Sequence, residues 1–151
     1  MVGELTREQS EHVLRSEMVG RIGCHSTGKV YVVPVTYVFH DGYIYAHSKV
    51  GLKIRMMRKS RNVCFQVDSG TSTRDWRSVI IWGKYEELKT SAEQRKATKI
   101  LNDRLLPYAL SETLKPAPFM DPPHEIEKEF KPVLYRISVD EVTGRFEKSS
   151  R

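Results

Sequence analysis

The residues best placed for chemistry lie in one short run, His47-Ser48-Lys49-Val50-Gly51-Leu52-Lys53. A strand pattern ends at His47 and Ser48, and a helical pattern begins at Gly51. The unpaired N–H groups of a helix's first turn, together with its dipole, favour negative charge. On a helical wheel of about 100° per residue, Leu52, Ile54, Met56 and Met57 form an apolar arc. Lys53 falls in the middle of that arc, while Arg55, Arg58 and Lys59 project elsewhere. A lysine facing apolar neighbours is unfavourable unless it snorkels outward or meets an anion. Two readings follow. Ser48, the helix start and Lys53 converge on a monophosphate, or Lys53 lies along the surface and Ser48 merely caps the helix.

The charge distribution bears on the choice. No acidic residue occurs between Asp41 and Asp68, yet the gap holds Lys49, Lys53, Arg55, Arg58, Lys59 and Arg61. Setting those six apart from the 25 Lys and Arg leaves as many cations as the 19 Asp and Glu, so the net +6 resides in this segment. A local excess of that kind faces solvent or an anionic partner. The other reactive side chains form no constellation. His12, His25, His40, His47 and His124 lack metal-ligand spacing, so no metal site is expected. Cys24 and Cys64 each sit inside a strand pattern and read as buried, inert thiols. Trp76 and Trp82 suit an interface or a stacked ligand. No Ser-His-Asp order or paired carboxylate stands out for hydrolysis.

These residues must be positioned by a mostly β framework. Thr6 with Gln9, and Thr90 with Glu93, have capping-box spacing and open helices near 6–17 and 90–105. Val19 to His25, Val30 to His40, Tyr43 to His47, Asn62 to Asp68, Ser78 to Leu88 and Val133 to Val139 read as strands. Ser26-Thr27-Gly28 and Asp41-Gly42 supply turns. Pro34 cannot donate to a ladder, which puts its strand at an edge or a bulge. Six of the seven prolines fall between Pro107 and Pro132, a long excursion expected to cover a functional face. The 151 residues form one domain over 1–151, with short hairpins and few helices that argue for a small barrel.

The ordered succession of motifs resembles the pyridoxamine 5′-phosphate oxidase-like split-barrel family, in particular its small flavin-binding branch that includes nitroimidazole-resistance proteins. The resemblance rests on Tyr31-Val32-Val33-Pro34-Val35-Thr36-Tyr37, on Tyr43-Ile44-Tyr45-Ala46-His47-Ser48 and on Gly51-Leu52-Lys53. Asn62-Val63-Cys64-Phe65, Ser78-Val79-Ile80-Ile81-Trp82-Gly83 and Thr143-Gly144-Arg145 complete it. It implies a mainly β fold, a six-stranded antiparallel split β-barrel with flanking helices, dimerising around two FMN sites. In that layout Ser48 and Lys53 hold the FMN phosphate and His47 lies near the phosphate or the ring. Val35, Thr36 and Tyr37 run along the isoalloxazine, which Ser78 and Val79 approach from the fifth strand. The oxidase's substrate-recognition residues are not found in Val142 to Glu147, so oxidation of pyridoxamine phosphate is not assigned. Some split-barrel relatives bind a deazaflavin or haem instead.

The function expected is therefore an FMN-dependent oxidoreductase passing electrons from a reduced nicotinamide to a small-molecule acceptor, such as a nitro compound. The alternatives are a flavin- or haem-binding protein without turnover, or a deazaflavin-dependent reductase. Nucleic-acid binding is disfavoured, because the basic stretch from Lys49 to Arg61 carries no interleaved aromatic. No apolar run approaches the roughly 20 residues that span a bilayer. The first ten residues carry acid and lack an apolar core, unlike a signal peptide, and two cysteines suit a reducing cytoplasm.

Overall fold

Local chemistry sets the first elements. In the computed structural model, which describes residues 1–70, 72–108 and 132–150, Thr6 accepts from the N–H of Gln9 while the Gln9 side chain accepts from the N–H of Thr6. This box opens α1 (Arg7–Ser16), after a short strand β1 (Val2–Glu4). The same device at Thr90 and Glu93 opens α3 (Ser91–Leu105). Between them lie β2 (Val19–Ser26), β3 (Lys29–Thr36), β4 (Val38–His40), β5 (Tyr43–Ser48), α2 (Leu52–Lys59), β6 (Asn62–Ser69) and β7 (Trp76–Glu87). β8 (Val133–Ser138) and β9 (Glu141–Glu147) close the chain. Two tight hairpins join β2 to β3 and β4 to β5. Their centres, Thr27-Gly28 and Asp41-Gly42, adopt left-handed φ values of 48° and 80° in each case, the geometry whose twist matches paired strands.

The strands hydrogen-bond in the order β3-β2-β6-β7-β8-β5-β4, with β9 pairing β7 and β1. This is the expected split barrel, with nine strands rather than six. β1, β4 and β9 account for the difference. The run expected over 30–40 divides at Tyr37, whose N–H makes a last bond in register with β2, to the carbonyl of Met18, before the chain changes partner to β5, and so yields β3 and β4. β1 and β9 pair with each other at the ends of the chain. β3 has one neighbour, β2, and Pro34 lies opposite Arg21 on that edge, as a residue without an N–H requires. The excursion expected over 107–132 lies, apart from its ends, outside the described residues.

β7 holds the barrel together. Along Trp76 to Trp82 it pairs with β9, and along Tyr85 to Glu87 with β8, so one strand serves both halves of the curled sheet. The interior is filled by Ile22, Phe65, Val67, Val79, Ile81, Tyr135 and Ile137 from the strands, with Leu14 of α1 and Ile54 and Met57 of α2 closing the openings. A second cluster, Val38, Tyr45, Leu88, Ala97, Leu101 and Leu134, seats α3. No helix among the described residues is long and apolar enough to cross a membrane.

Candidate functional site

The junction between β5 and α2 assembles the residues that the sequence singled out. β5 is held by β8, with His47 opposite Leu134 and Ser48 opposite Val133. α2 buries Ile54, Met56 and Met57, whereas Leu52 stays 36% exposed. The apolar arc is real, and Lys53 within it is half-buried. Its N-cap is Gly51, which offers no side chain to the first turn. The N–H groups there are left for another acceptor. Ser48 is not the cap. Its hydroxyl donates to the carbonyl of Lys49 at 2.8 Å, leaving the oxygen's lone pairs to accept.

The electrostatics of this junction are those of a desolvated cation. Burial pushes the Lys53 ammonium below its ordinary pKa, with Cys24 opposing the shift slightly. Burial, followed by the field of Lys53, lowers His47 to about 4. Burial likewise raises the Cys24 thiol, Cys64 adds to that, and Lys53 opposes it. Among the described residues no carboxylate pairs with Lys53. A half-buried ammonium beside an uncapped helix start and a hydroxyl fits a phosphate by its chemistry.

The depressed His47 has a pH consequence. Its folded pKa of about 4 lies below the ordinary 6.5, so the unfolded chain binds the extra proton between those values. Stability is full above pH 6.5 and falls as the pH drops toward 4, by at most about 1.4 kcal/mol per pH unit. A phosphate bound nearby favours the imidazolium and flattens the fall. Thermal midpoints between pH 4 and 8 should show this slope in the free protein, less of it with FMN present, and none of its His47 component in His47→Gln.

The remaining expected residues lie elsewhere. Tyr37 and Val79 are fully buried. The Tyr37 hydroxyl donates to the carbonyl of Leu14 at 2.8 Å and its ring meets Phe65 edge-on, so only its backbone is available to a ligand. Val35 packs partly against the core. Thr36 and Ser78 lie on the sheet's outer face, and Ser78 accepts from the Gln66 side chain at 3.1 Å. Thr36 lies opposite Val19, and Ser78 opposite Asp68. Extending the pairing of β2 with β6 puts Val19 beside Asp68, so all four lie in one row. Thr36 and Ser78 are thus three strand steps apart, about 14 Å at ~4.8 Å per step.

That outer face is unusually apolar. Val30, Val32 and Trp82 are 76%, 64% and 41% exposed. With Gly23 and Cys64 they line an open cavity of about 610 Å³. Cys64 is therefore only half-buried, contrary to expectation. The strand alternation that buries Val63 and Phe65 turns Cys64 outward. Trp76 belongs to the sheet itself, its indole N–H donating to Glu147 at 3.1 Å. Sequence reasoning missed Tyr135. Its hydroxyl is buried in the barrel without a hydrogen-bond partner among the described residues, and Tyr85 and Cys24 both act on it electrostatically. In the sequence it was one more aromatic in an alternating strand. No metal-ligating cluster occurs among the described residues.

The chain has similar counterparts in sequence and fold. A Rhizobium meliloti protein, the uncharacterized protein RA0666, is 28% identical over 145 residues, covering 93% of this chain and 92% of its own. The crystal structure of a FAD-binding protein from Mesorhizobium loti superposes with a TM-score of 0.78 at 30% identity, covering 98% of this chain and 99% of that one. A candidate 5-nitroimidazole antibiotic resistance protein from Bacteroides thetaiotaomicron shares the fold at a TM-score of 0.70 and 19% identity, over 97% of this chain and 87% of that one. The sequence profile described as pyridoxamine 5′-phosphate oxidase matches residues 6–146. With the split barrel in place and the profile matched over residues 6–146, the chain belongs to the pyridoxamine 5′-phosphate oxidase family.

Proposed function

We propose that this protein binds a flavin nucleotide and is an oxidoreductase that passes electrons from a reduced nicotinamide to a small-molecule acceptor. The observation that carries the reading is Lys53, a half-buried cation at an uncapped helix start with no ion-pair partner among the described residues. FMN's phosphate would be held by Ser48, the first-turn N–H groups and Lys53, with His47 neutral beside it. The flavin supplies the redox chemistry when bound. The chain's part is to fix the phosphate and, along β3, to present Val35, Thr36 and the backbone of Tyr37 to the ring. The Mesorhizobium loti relative, described as FAD-binding, makes the adenylylated flavin the other candidate.

The reading requires a homodimer. Thr36 and Ser78 are three strands apart on one protomer, and a second copy would bring its Ser78 and Val79 backbone to the first copy's β3. The exposed Val30, Val32 and Trp82 offer the apolar centre such an interface needs, and two-fold pairing is the commonest closed solution. A cytoplasmic site of action fits a chain with no membrane-crossing helix among its described residues and two free cysteines.

Titrating FMN into the purified protein tests the proposal directly. We expect a yellow complex, quenched flavin fluorescence, a dimeric mass by light scattering, and bleaching of the flavin by a reduced nicotinamide under anaerobic conditions. A colourless protein that leaves FMN fluorescence unchanged overturns flavin binding, and a Soret band on haem addition replaces it with haem binding. A monomeric mass with FMN tightly bound overturns the shared site.

A further inference from the structure

A different stripe of α2 carries a second cationic feature that the flavin reading leaves unused. A cavity of about 380 Å³ opens between this helix and the turn joining β2 to β3. Leu52, Arg55, Met56 and Lys59 line it from α2, and Ser26 and Lys29 from the hairpin. The four helix residues follow the i, i+3, i+4, i+7 spacing of a single stripe. Lys53 lies about 100° around the helix from Leu52, so this stripe and the junction with β5 are separate places. Arg58, also on the rim, is committed to Glu87 at 2.7 Å. Lys29, Arg55 and Lys59 have no ion-pair or side-chain hydrogen-bond partner among the described residues. Arg55 and Lys59 also stand one helical turn apart, where like charges repel.

The independent sign of a ligand is Ser26. It sits on the inward face of β2, in line with Ile22 and Cys24, and is only 6% exposed. Its hydroxyl has no hydrogen-bond partner among the described residues, yet it lines the cavity. A buried hydroxyl left without a partner is costly. One that faces cations is placed to donate to an oxyanion whose charge they neutralise. No carboxylate stands among the described residues that line the cavity, and Leu52 and Met56 give it an apolar wall. Its volume lies toward the lower end of small-molecule pockets, room for a compact monoester rather than a dinucleotide.

We infer that this cavity binds a phosphate monoester of a small, flat apolar group. The phosphate lies on Lys29, Arg55, Lys59 and the Ser26 hydroxyl, and the apolar group on Leu52 and Met56. The site is distinct from the junction at Lys53 and stands whether or not a flavin occupies that junction. It gives a ligand to the part of the segment's positive charge that no carboxylate balances.

Phenyl phosphate is the probe, titrated by calorimetry into the Lys53→Ala protein so that the junction cannot hold it, with circular dichroism checking each variant's fold. We expect saturable one-to-one binding, at least about 3-fold tighter than inorganic phosphate, because the ring covers apolar surface on Leu52. Adding Arg55→Ala and Lys59→Ala should weaken it at least about 10-fold, the equivalent of one charge-assisted contact. Adding Ser26→Ala instead should weaken it about 2- to 10-fold without lowering the thermal midpoint, because the hydroxyl has no partner to lose in the free protein. The wild type saturated with FMN should bind phenyl phosphate within about twofold of the Lys53→Ala protein, as separate sites do. No saturable binding to the Lys53→Ala protein, or binding that the added Arg55→Ala and Lys59→Ala leave intact, overturns the site. Inorganic phosphate binding as tightly as phenyl phosphate overturns the ester. Displacement of all phenyl phosphate from the wild type by FMN returns the anion to the junction and also overturns the site. A wild type that binds no flavin, with phenyl phosphate still held by Lys53→Ala, overturns the flavin reading alone. Should the combined variant misfold, Ser26→Ala and Lys29→Gln decide the matter, and unchanged affinity in both overturns the site.

Discussion

Replacing Lys53 with alanine is expected to weaken FMN binding about 10- to 150-fold, the equivalent of about 1.5–3 kcal/mol for a charge-assisted hydrogen bond. The basis is local. Lys53 is half-buried on a helix whose N-cap contributes no side chain, and burial already disfavours its charged form, so a phosphate there repays a cost the free protein bears. Riboflavin lacks the phosphate and should bind the variant nearly as well as the wild type. Lys59→Ala, on another face of α2, should alter FMN affinity little, because its charge acts from a distance through screened solvent. The free Lys53→Ala protein should be no less stable than the wild type, since a half-buried cation with no ion-pair partner among the described residues has been removed. The decisive comparison is FMN against riboflavin in both variants. Equal small losses in the two would show that Lys53 is only a solvated surface residue and would shift the phosphate toward Arg55.

What the sequence made legible was whatever depends on near neighbours. Both capping boxes and both left-handed turns formed where a hydroxyl, an amide or a glycine stood at the right spacing, because each closes its own hydrogen bonds within four residues. The β5–α2 junction was legible for the same reason: Ser48, Gly51 and Lys53 are neighbours in the chain, and one turn of helix sets their relation. Quantities decided by distant pairing were not. Nothing near Tyr37 announces that a continuous β-branched run will change partners there, from β2 to β5, and so become two strands. The row containing Thr36 and Ser78 depends on the registers of three strand pairs, so residues implied together for one flavin turn out to stand strands apart. Cys64 and Tyr135 show the limit of alternation itself. It assigns a face, but which face meets solvent, and whether a hydroxyl finds an acceptor there, is settled by packing.

Gly83→Ala should be the most damaging single methyl group that can be added to this chain. The added Cβ would stand 1.5 Å from the carbonyl oxygen of Ser138, inside the atom rather than in contact with it. The reason for the crowding is topological. At Gly83 the long β7 changes partners, from β9 over Trp76–Trp82 to β8 over Tyr85–Glu87, and the link from β8 to β9 crosses directly above. That crossing is pinned on both sides, by the N–H of Asp140 on the carbonyl of Trp82 at 3.0 Å and by the N–H of Lys84 on the Ser138 hydroxyl at 3.0 Å. The obstructing atom is backbone, so no rotamer change relieves it and Ser138→Ala should not rescue the variant. The cost should be at least about 3 kcal/mol, a large share of the ~5–15 kcal/mol that holds a typical domain. A fall in thermal midpoint of roughly 6–12 °C or more corresponds to that loss. Gly51→Ala is the control. Its Cβ meets nothing within 4 Å and its φ of −127° suits any residue, so its stability should stay within about 1 kcal/mol of the wild type. Because β8 also carries the register partners of His47 and Ser48, whatever Gly83→Ala protein folds should bind FMN less tightly, through displacement of β5 rather than loss of any phosphate contact. A Gly83→Ala protein as stable as the wild type would mean that the link from β8 to β9 does not cross β7 at this point, and with it the present closure of the barrel would fall.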